Sequence, residues 1–377
     1  MRTCRVLHLT SVHEAGDTRI FVKECRSLAE AGFQVSLIGI GALPPGDGGV
    51  SVTTLRRRGR LGRWLITIPA IAVTALRRGA DLYHLHDPEL LPLGLLLRLL
   101  GRRVVYDAHE DVPRQIMDKS WLPVWLRPLV GFMAEAMERV AGWALSGIVA
   151  ATPTIGARFS GNRMVVVRNY PRVDELEAMA TVPFANRARE VLYIGAVTRT
   201  RGAFEIVEGF RQVPRALDAE LVVAGPCAPA EMARELEERA GQSPVRILGR
   251  RTRAEVRELL RRARVGMVTL LPTRSYLESL PVKLFEYMAA GIPVVVSDFP
   301  AWREIVDESR CGILVDPTDA AAVGTAMTWL LSHPEESEQM GRRGAAAVRS
   351  RYHWSAEAAV LVEFYRRLLG GVASGGD

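Results

Sequence analysis

Glu278 and Glu286 are separated by seven residues within LESLPVKLFEYMAAGIPVVVSD, Leu277 to Asp298. Ionised carboxylates accept paired hydrogen bonds from vicinal hydroxyls, so this spacing fits chemistry on a polyol. Ser279 is expected to cap a helix here, with Pro281 in its first turn, Gly291 as its stop and Ile292 to Val296 as the following strand. Glu278 then lies in the loop at the helix mouth and Glu286 more than a turn inside. Eight steps of about 100° leave the two about 80° apart. The free N–H groups and the dipole of the helix start attract an anion. A ligand with hydroxyls at both ends and a phosphate between them, such as a nucleotide sugar, suits the pattern.

Other polar residues gather where strands are expected to end. Strand Arg5 to Thr10 leads into a polar loop, Ser11 to Thr18, which offers Glu14, Gly16, Asp17 and Arg19. No G-x-G-x-x-G accompanies that glycine, and a capped surface turn is an equal reading. Asp81 to His86 ends in His84, His86 and Asp87, and Arg103 to Tyr106 ends in Asp107, His109, Glu110 and Asp111. Without a helical His pair or a Cys pair, these residues read as polar groups of an organic site rather than metal ligands. A second glycine loop, Gly195 to Gly202 (GAVTRTRG), carries Arg199 and Arg201.

These loops need strands and helices to hold them. Strand and helix patterns alternate twice, from Arg5 to Val167 and again from Glu190 to Asp298, with a strand-free linker from Pro171 to Arg189. The expected fold class is α/β, with two doubly wound Rossmann-like domains facing across a cleft. The expected boundaries are 1–172, completed by 353–377, and 173–352. Trp121 to Leu145 carries tryptophans and other large apolar residues; it is expected to pack into the core, with a membrane interface for part of this face as the alternative, since tryptophan is favoured there.

Composition narrows the partners. The 377 residues carry a net charge of +7, which favours anionic partners. The arginines are scattered over helices without aromatic interleaving, so no nucleic acid is expected. Arg56 to Arg63 (RRRGRLGR), followed by Trp64, is either a solvated turn or a patch for anionic lipid. The four cysteines show no metal-type spacing and fit a reduced, cytoplasmic setting. No signal peptide and no membrane-spanning run is expected.

The chain resembles the family 4 glycosyltransferases, which are retaining enzymes of GT-B fold, and it is closest in kind to the branch found in surface-polysaccharide and specialised-metabolite pathways. The resemblance rests on ESLPVKLFEYMAAGIPVVVSD, supported by SVHEAGDTRIFVKECRSLAEAGFQV, HLHDPEL, VVYDAHED, VVRNYP and YIGAVTRTRG. It implies a nucleoside-diphosphate sugar as donor, with UDP or GDP as the leaving group, and a glycan, a lipid-linked intermediate or a metabolite as acceptor. It assigns Glu286 to the ribose hydroxyls, Glu278 to the donor sugar and Arg201 to the diphosphate. Ala196 departs from the family pattern, where an arginine is common, and Lys283 or Arg199 is the replacement cation.

Gly16 matches the family's diphosphate loop and His109 a histidine beside the donor sugar. The implied catalytic set is Glu278, His109, Arg201 and Lys283. The donor set is Gly16, Gly195, Arg199, Arg201, Gly202, Arg250, Glu278, Ser279, Leu280, Lys283 and Glu286. Glu14, Asp17, His86, Glu110 and Asp111 face the acceptor. Neither a metal nor a further cofactor is implied, and the last helix returns to the first domain. Placement is cytoplasmic, peripheral on the inner membrane face through Arg56–Trp64. The alternatives are a nucleotide-sugar epimerase of the same architecture and a non-catalytic binding module.

Overall fold

Strands buried at every position need cover on both faces, and Leu82–Leu85 and Gly147–Ala150 are buried throughout. The computed structural model describes residues 3–43, 46, 48–117, 122–159, 163–172 and 182–370. Trp121, residues 173–181 of the expected linker and the tail from 371 lie outside them. The chain forms two compact units, Met1–Asn169 with Trp354–Asp377 (unit 1) and Tyr170–His353 (unit 2).

Unit 1 holds strands β1 (Arg5–Glu14), β2 (Gln34–Ile40), β3 (Val50–Leu55), β4 (Leu82–Leu85), β5 (Arg103–Ala108), β6 (Gly147–Ala150) and β7 (Met164–Val166). They pair in the order β3-β2-β1-β4-β5-β6-β7, all parallel. One face is covered by helix α1, in which Thr18–Cys25 runs on into Arg26–Glu30, and by the C-terminal helix Trp354–Leu368. The other is covered by α2 (the successive turns Arg60–Gly62, Arg63–Thr67 and Ile68–Arg78), α3 (Leu91–Leu99) and α4 (Arg127–Ala144).

Two expectations change here. Strand β1 does not end at Thr10 but reaches Glu14, with its register shifting between Leu9 and Glu14. The reason is Asp87, whose Oδ2 accepts from Thr10 Oγ1 (2.9 Å) and the Ser11 amide (2.6 Å), so a side chain holds the strand where it leaves its register. The aromatic stretch, expected in the core, is exposed instead. α4 buries Gly131, Glu138 and Ala141 and turns Phe132, Met133 and Trp143 outward.

Unit 2 contains β8 (Glu190–Ile194), β9 (Glu220–Ala224), β10 (Val245–Gly249), β11 (Val265–Val268), β12 (Val294–Ser297) and β13 (Gly312–Val315). Their order is β10-β9-β8-β11-β12-β13, again all parallel. Helix α5 (Ala203–Phe210) follows β8, α6 (Val282–Ala289) precedes β12, and α7 (Ala320–Ser332) packs on α5. The two sheets reverse strand order between β1 and β4 and between β8 and β11. In such sheets ligands bind outside the carboxyl ends at that reversal.

α5 and α7 meet through glycine. A Cβ on Gly209 would lie 2.7 Å from the Ala320 carbonyl oxygen, and one on Gly324 would overlap the Gly209 carbonyl. Gly324→Ala is therefore expected to cost about 1–3 kcal/mol, read as a lower urea midpoint. An unchanged midpoint would show that the helices separate without cost.

Candidate active site

In unit 1 the carboxyl ends of β1, β4 and β5 converge on Asp107. Arg19 grips both of its oxygens, Nε to Oδ2 at 2.9 Å and Nη2 to Oδ1 at 2.8 Å, while its Nη1 donates to the Val167 carbonyl (3.1 Å). His86 Nδ1 (3.2 Å) and His109 Nδ1 (3.1 Å) approach the same Oδ2. Behind them His86 Nε2 meets His8 Nδ1 at 2.8 Å, and His84 Nδ1 meets the Tyr365 hydroxyl of the C-terminal helix at 2.6 Å. Burial would raise the Asp107 carboxyl, but Arg19, then His109 and His86, outweigh it and hold it well below the usual range. Glu24, 3.1 Å from Arg19 Nε, goes the other way, because burial and the Asp107 charge raise it well above normal. Burial keeps His8 and His84 neutral.

His86 is buried at 1% exposure and sits behind Asp107, so its place is to support the edge and not to touch an acceptor as expected. Arg19, likewise a loop candidate, is spent on Asp107. Asp17 takes the capping role: its Oδ1 accepts from the Arg19 (2.8 Å) and Ile20 (3.0 Å) amides. Asp111 is engaged by Arg158 (2.8 Å) and Arg114 (3.2 Å), and Glu14 by Arg57 (3.2 Å). Gly16 and Glu110 are exposed and His109 half-buried. His13, which the sequence reading passed over, packs edge-on against His109 with ring centroids 5.1 Å apart. Ligand-type atoms of His8, Glu24, His84 and His86, and those of His86, Asp107 and His109, each lie within 4.8 Å of one another. Strand spacing alone did not reveal these groupings, because His8, Glu24 and Asp107 come from separate elements.

In unit 2 the loop after β8 and the start of α6 form the second cluster. Gly202, at φ +70°, leads into α5 where a side chain would overlap the Thr269 carbonyl. This close approach holds Arg201 beside Tyr193 and Tyr276, with its guanidinium 6.0 Å from the Tyr276 ring. Lys283, in the first turn of α6, is 8% exposed and has its Nζ 3.8 Å over the Tyr193 ring, with no hydrogen-bond partner among the described residues. Burial, reinforced by the Arg201 charge and partly offset by Glu286, pushes its ammonium well below the usual range. Burial raises the Tyr193 hydroxyl to about 12 despite Arg201.

α6 is fixed toward its C-terminal end. The Tyr287 hydroxyl accepts from the Ile194 amide and donates to the Leu192 carbonyl, both at 2.9 Å. Arg187 donates to the Ala290 carbonyl at 2.8 Å beyond the helix end.

Ser279 is not the cap. Pro281 occupies that position with ψ 115°, and the Ser279 hydroxyl donates to the Tyr276 carbonyl (3.1 Å) while its own carbonyl accepts from Trp302 Nε1. β12 begins at Val294, two residues later than expected, because Pro293 brings no N–H to a ladder. Glu286 is half-buried beside Lys283, Leu280 packs on the core, and Glu278 and Arg250 are exposed. Arg199 lies over the Phe204 ring, 5.2 Å from its centroid, whereas Arg201 is the arginine near Lys283.

A model of the glycosyl transferases group 1 matches residues 174–347, and one of the glycosyl transferase 4-like domain matches 18–173. The chain belongs to the family 4 glycosyltransferases. A phosphatidyl-myo-inositol mannosyltransferase of Mycobacterium leprae is 26% identical over 76% of this glycosyltransferase and 73% of its own length. The GDP-mannose:cellobiosyl-diphosphopolyprenol alpha-mannosyltransferase of Xanthomonas oryzae is 23% identical over 84% and 81%. Among solved structures, sucrose-phosphate synthase of Thermosynechococcus elongatus has a TM-score of 0.76 at 20% identity, covering 97% and 99% of the two chains. The Anabaena protein HepE in complex with UDP-glucose has 0.73 at 15%, covering 97% and 100%. These likenesses match the GT-B architecture of two doubly wound units.

The glycosyltransferase should show a pH signature at His13. Burial would lower this imidazole, but the Asp17 carboxylate, with Asp87 and Glu110, outweighs it and raises it to about 9. A group whose folded value is raised contributes fully below its ordinary value of 6.5, and the contribution disappears as pH climbs through about 9. Urea stability is expected to fall across that window, and His13→Asn to flatten the fall. An equally steep fall in the variant would place its origin elsewhere.

Proposed function

We propose that this glycosyltransferase moves a hexose-type sugar, with retention of anomeric configuration and without a metal, from a nucleoside diphosphate to a hydroxyl acceptor. The observation that carries this reading is Lys283: a buried ammonium without a hydrogen-bond partner among the described residues, next to Arg201 and Glu286. Two like charges in one place favour an anion, and a diphosphate supplies one. The family resemblance, through Glu286 on the ribose and Glu278 on the sugar, agrees with that placement. The relatives' names include GDP-mannose, and a solved neighbour carries UDP-glucose. These support a nucleotide-sugar donor without selecting UDP over GDP.

As the bond from the anomeric carbon to the phosphate oxygen breaks, negative charge grows on the diphosphate, where Arg201, Lys283 and the amides at the start of α6 stabilise it. The acceptor oxygen bonds to that carbon on the same face, and its proton passes to the departing phosphate. His109, with Nδ1 held by Asp107, keeps Nε2 for a sugar hydroxyl. Gly16 lets the backbone approach the donor, and Glu14, Glu110 and Asp111 remain acceptor-side candidates. The acceptor is a glycan, a lipid-linked intermediate or a metabolite. The reaction belongs in the cytoplasm, on the inner membrane face through Arg56–Trp64. Among the described residues no helix is long and apolar enough to cross a membrane.

Calorimetry with UDP, GDP and their nucleosides tests the site. Lys283→Met and Arg201→Ala should each weaken the diphosphates by about ten- to a hundredfold, the scale of a charged hydrogen bond, and leave the nucleosides unchanged. Glu286→Ala should weaken both. Diphosphate binding as tight in Lys283→Met and Arg201→Ala as in the parent would overturn the reading.

A further inference from the structure

α4 is amphipathic in the wrong sense for a helix that only packs on its own sheet. The face toward the sheet carries Gly131, Ala141 and the charged Glu138, which is satisfied by the Tyr106 hydroxyl and Arg158. The opposite face carries Leu129, Phe132, Met133, Met137, Val140 and Trp143, at steps of three and four that form one stripe along the helix. Phe132 is 66% exposed and Trp143 84%.

The neighbouring helices of the same layer repeat the pattern. α2 exposes Trp64, Leu65 and Leu76, and α3 exposes Leu96 and Leu99. The helices on the opposite face of that sheet show nothing comparable: the C-terminal helix exposes Val360, and no large apolar side chain of α1 is exposed. Among the described residues unit 2 contributes Leu277 alone. Monomeric surfaces scatter such residues singly, and a contiguous patch of this kind marks an interface.

We propose that the outer face of the α2–α3–α4 layer docks on an anionic lipid bilayer, with the α4 stripe entering the headgroup boundary. The choice of a bilayer rests on charge. Arginines rim the patch at both ends of the layer, with Arg56 and Arg58 exposed before α2 and Arg77, Arg78, Arg102 and Arg103 exposed where α2 and α3 end. Arg57 and Arg63 are already taken by Glu14 and Glu89. Tryptophan at either end of the α4 region, Trp125 and Trp143, suits the water–lipid boundary. A second copy of this face would set arginine rim against arginine rim. This deepens the functional reading by giving the partner surface that a lipid-carried acceptor requires, and it extends well past the Arg56–Trp64 segment.

The test uses the full chain with phosphatidylcholine vesicles, with and without phosphatidylglycerol. Co-sedimentation should require the anionic lipid and weaken with salt. Phe132→Ser/Trp143→Ser should reduce vesicle affinity by about tenfold or more, and Arg56→Ser/Arg58→Ser by a comparable factor. Both variants should keep the parent's melting temperature and its binding of free UDP or GDP measured without vesicles. That control separates failure of docking from failure of the donor site. Absence of vesicle binding by the parent, undiminished binding by the Phe132/Trp143 variant, or a parent dimer that this variant dissolves would each overturn the proposal.

Discussion

Asp107 keeps a negative charge where water does not reach, and the two-pronged grip of Arg19 is what allows it. Removing one partner of such a pair typically costs about 3–5 kcal/mol, since the other is left charged and alone. The consequences spread from there. A charged Asp107 helps to raise the Glu24 carboxyl well above its ordinary range and draws Nδ1 of both His86 and His109 to one carboxylate oxygen. The β1, β4 and β5 edge of unit 1 is therefore set by its own polar contacts.

Unit 2 solves the opposite problem. Its cations are held without a carboxylate fork: Lys283 lies over an aromatic face and Arg201 between tyrosines. Aromatic faces attract a cation electrostatically. Such a cradle keeps positive charge ready to bind an anion and to stabilise one as it forms. Tyr287 and Arg187 supply the rigidity, pinning α6 so that Lys283 does not drift toward water.

The alternation of strand and helix was legible because burial on both faces of a parallel strand leaves an unbroken apolar run, as in Leu221–Ala224. Glu278, Lys283 and Glu286 were legible as a group because one loop and one helix carry them close together in sequence, and Arg201 because it stands in a glycine loop at a strand end. What stayed hidden depends on residues far apart. The β1 register shift needs Asp87, and the His8–His86–Asp107 chain needs three strands in register. Ser279 looked like a cap because composition does not show that Pro281 takes the position. The outward turn of α4 was not decided by sequence, where the core was the preferred reading over an interface, because an apolar stripe has the same period whether it faces a core or something else, and only the small residues and Glu138 on its other side tell them apart.

The Tyr365 hydroxyl that meets His84 belongs to the C-terminal helix, as do Leu361 and Phe364 in the core of unit 1. On the ribosome, residues 1–169 emerge long before that helix does. One face of their sheet lacks part of its cover throughout the synthesis of unit 2, whose residues, Tyr170 to His353, form an uninterrupted stretch. The order of synthesis and the order of completion are thus reversed: the unit made first is the one finished last. The nascent N-terminal half spends that interval with apolar surface open to misassociation.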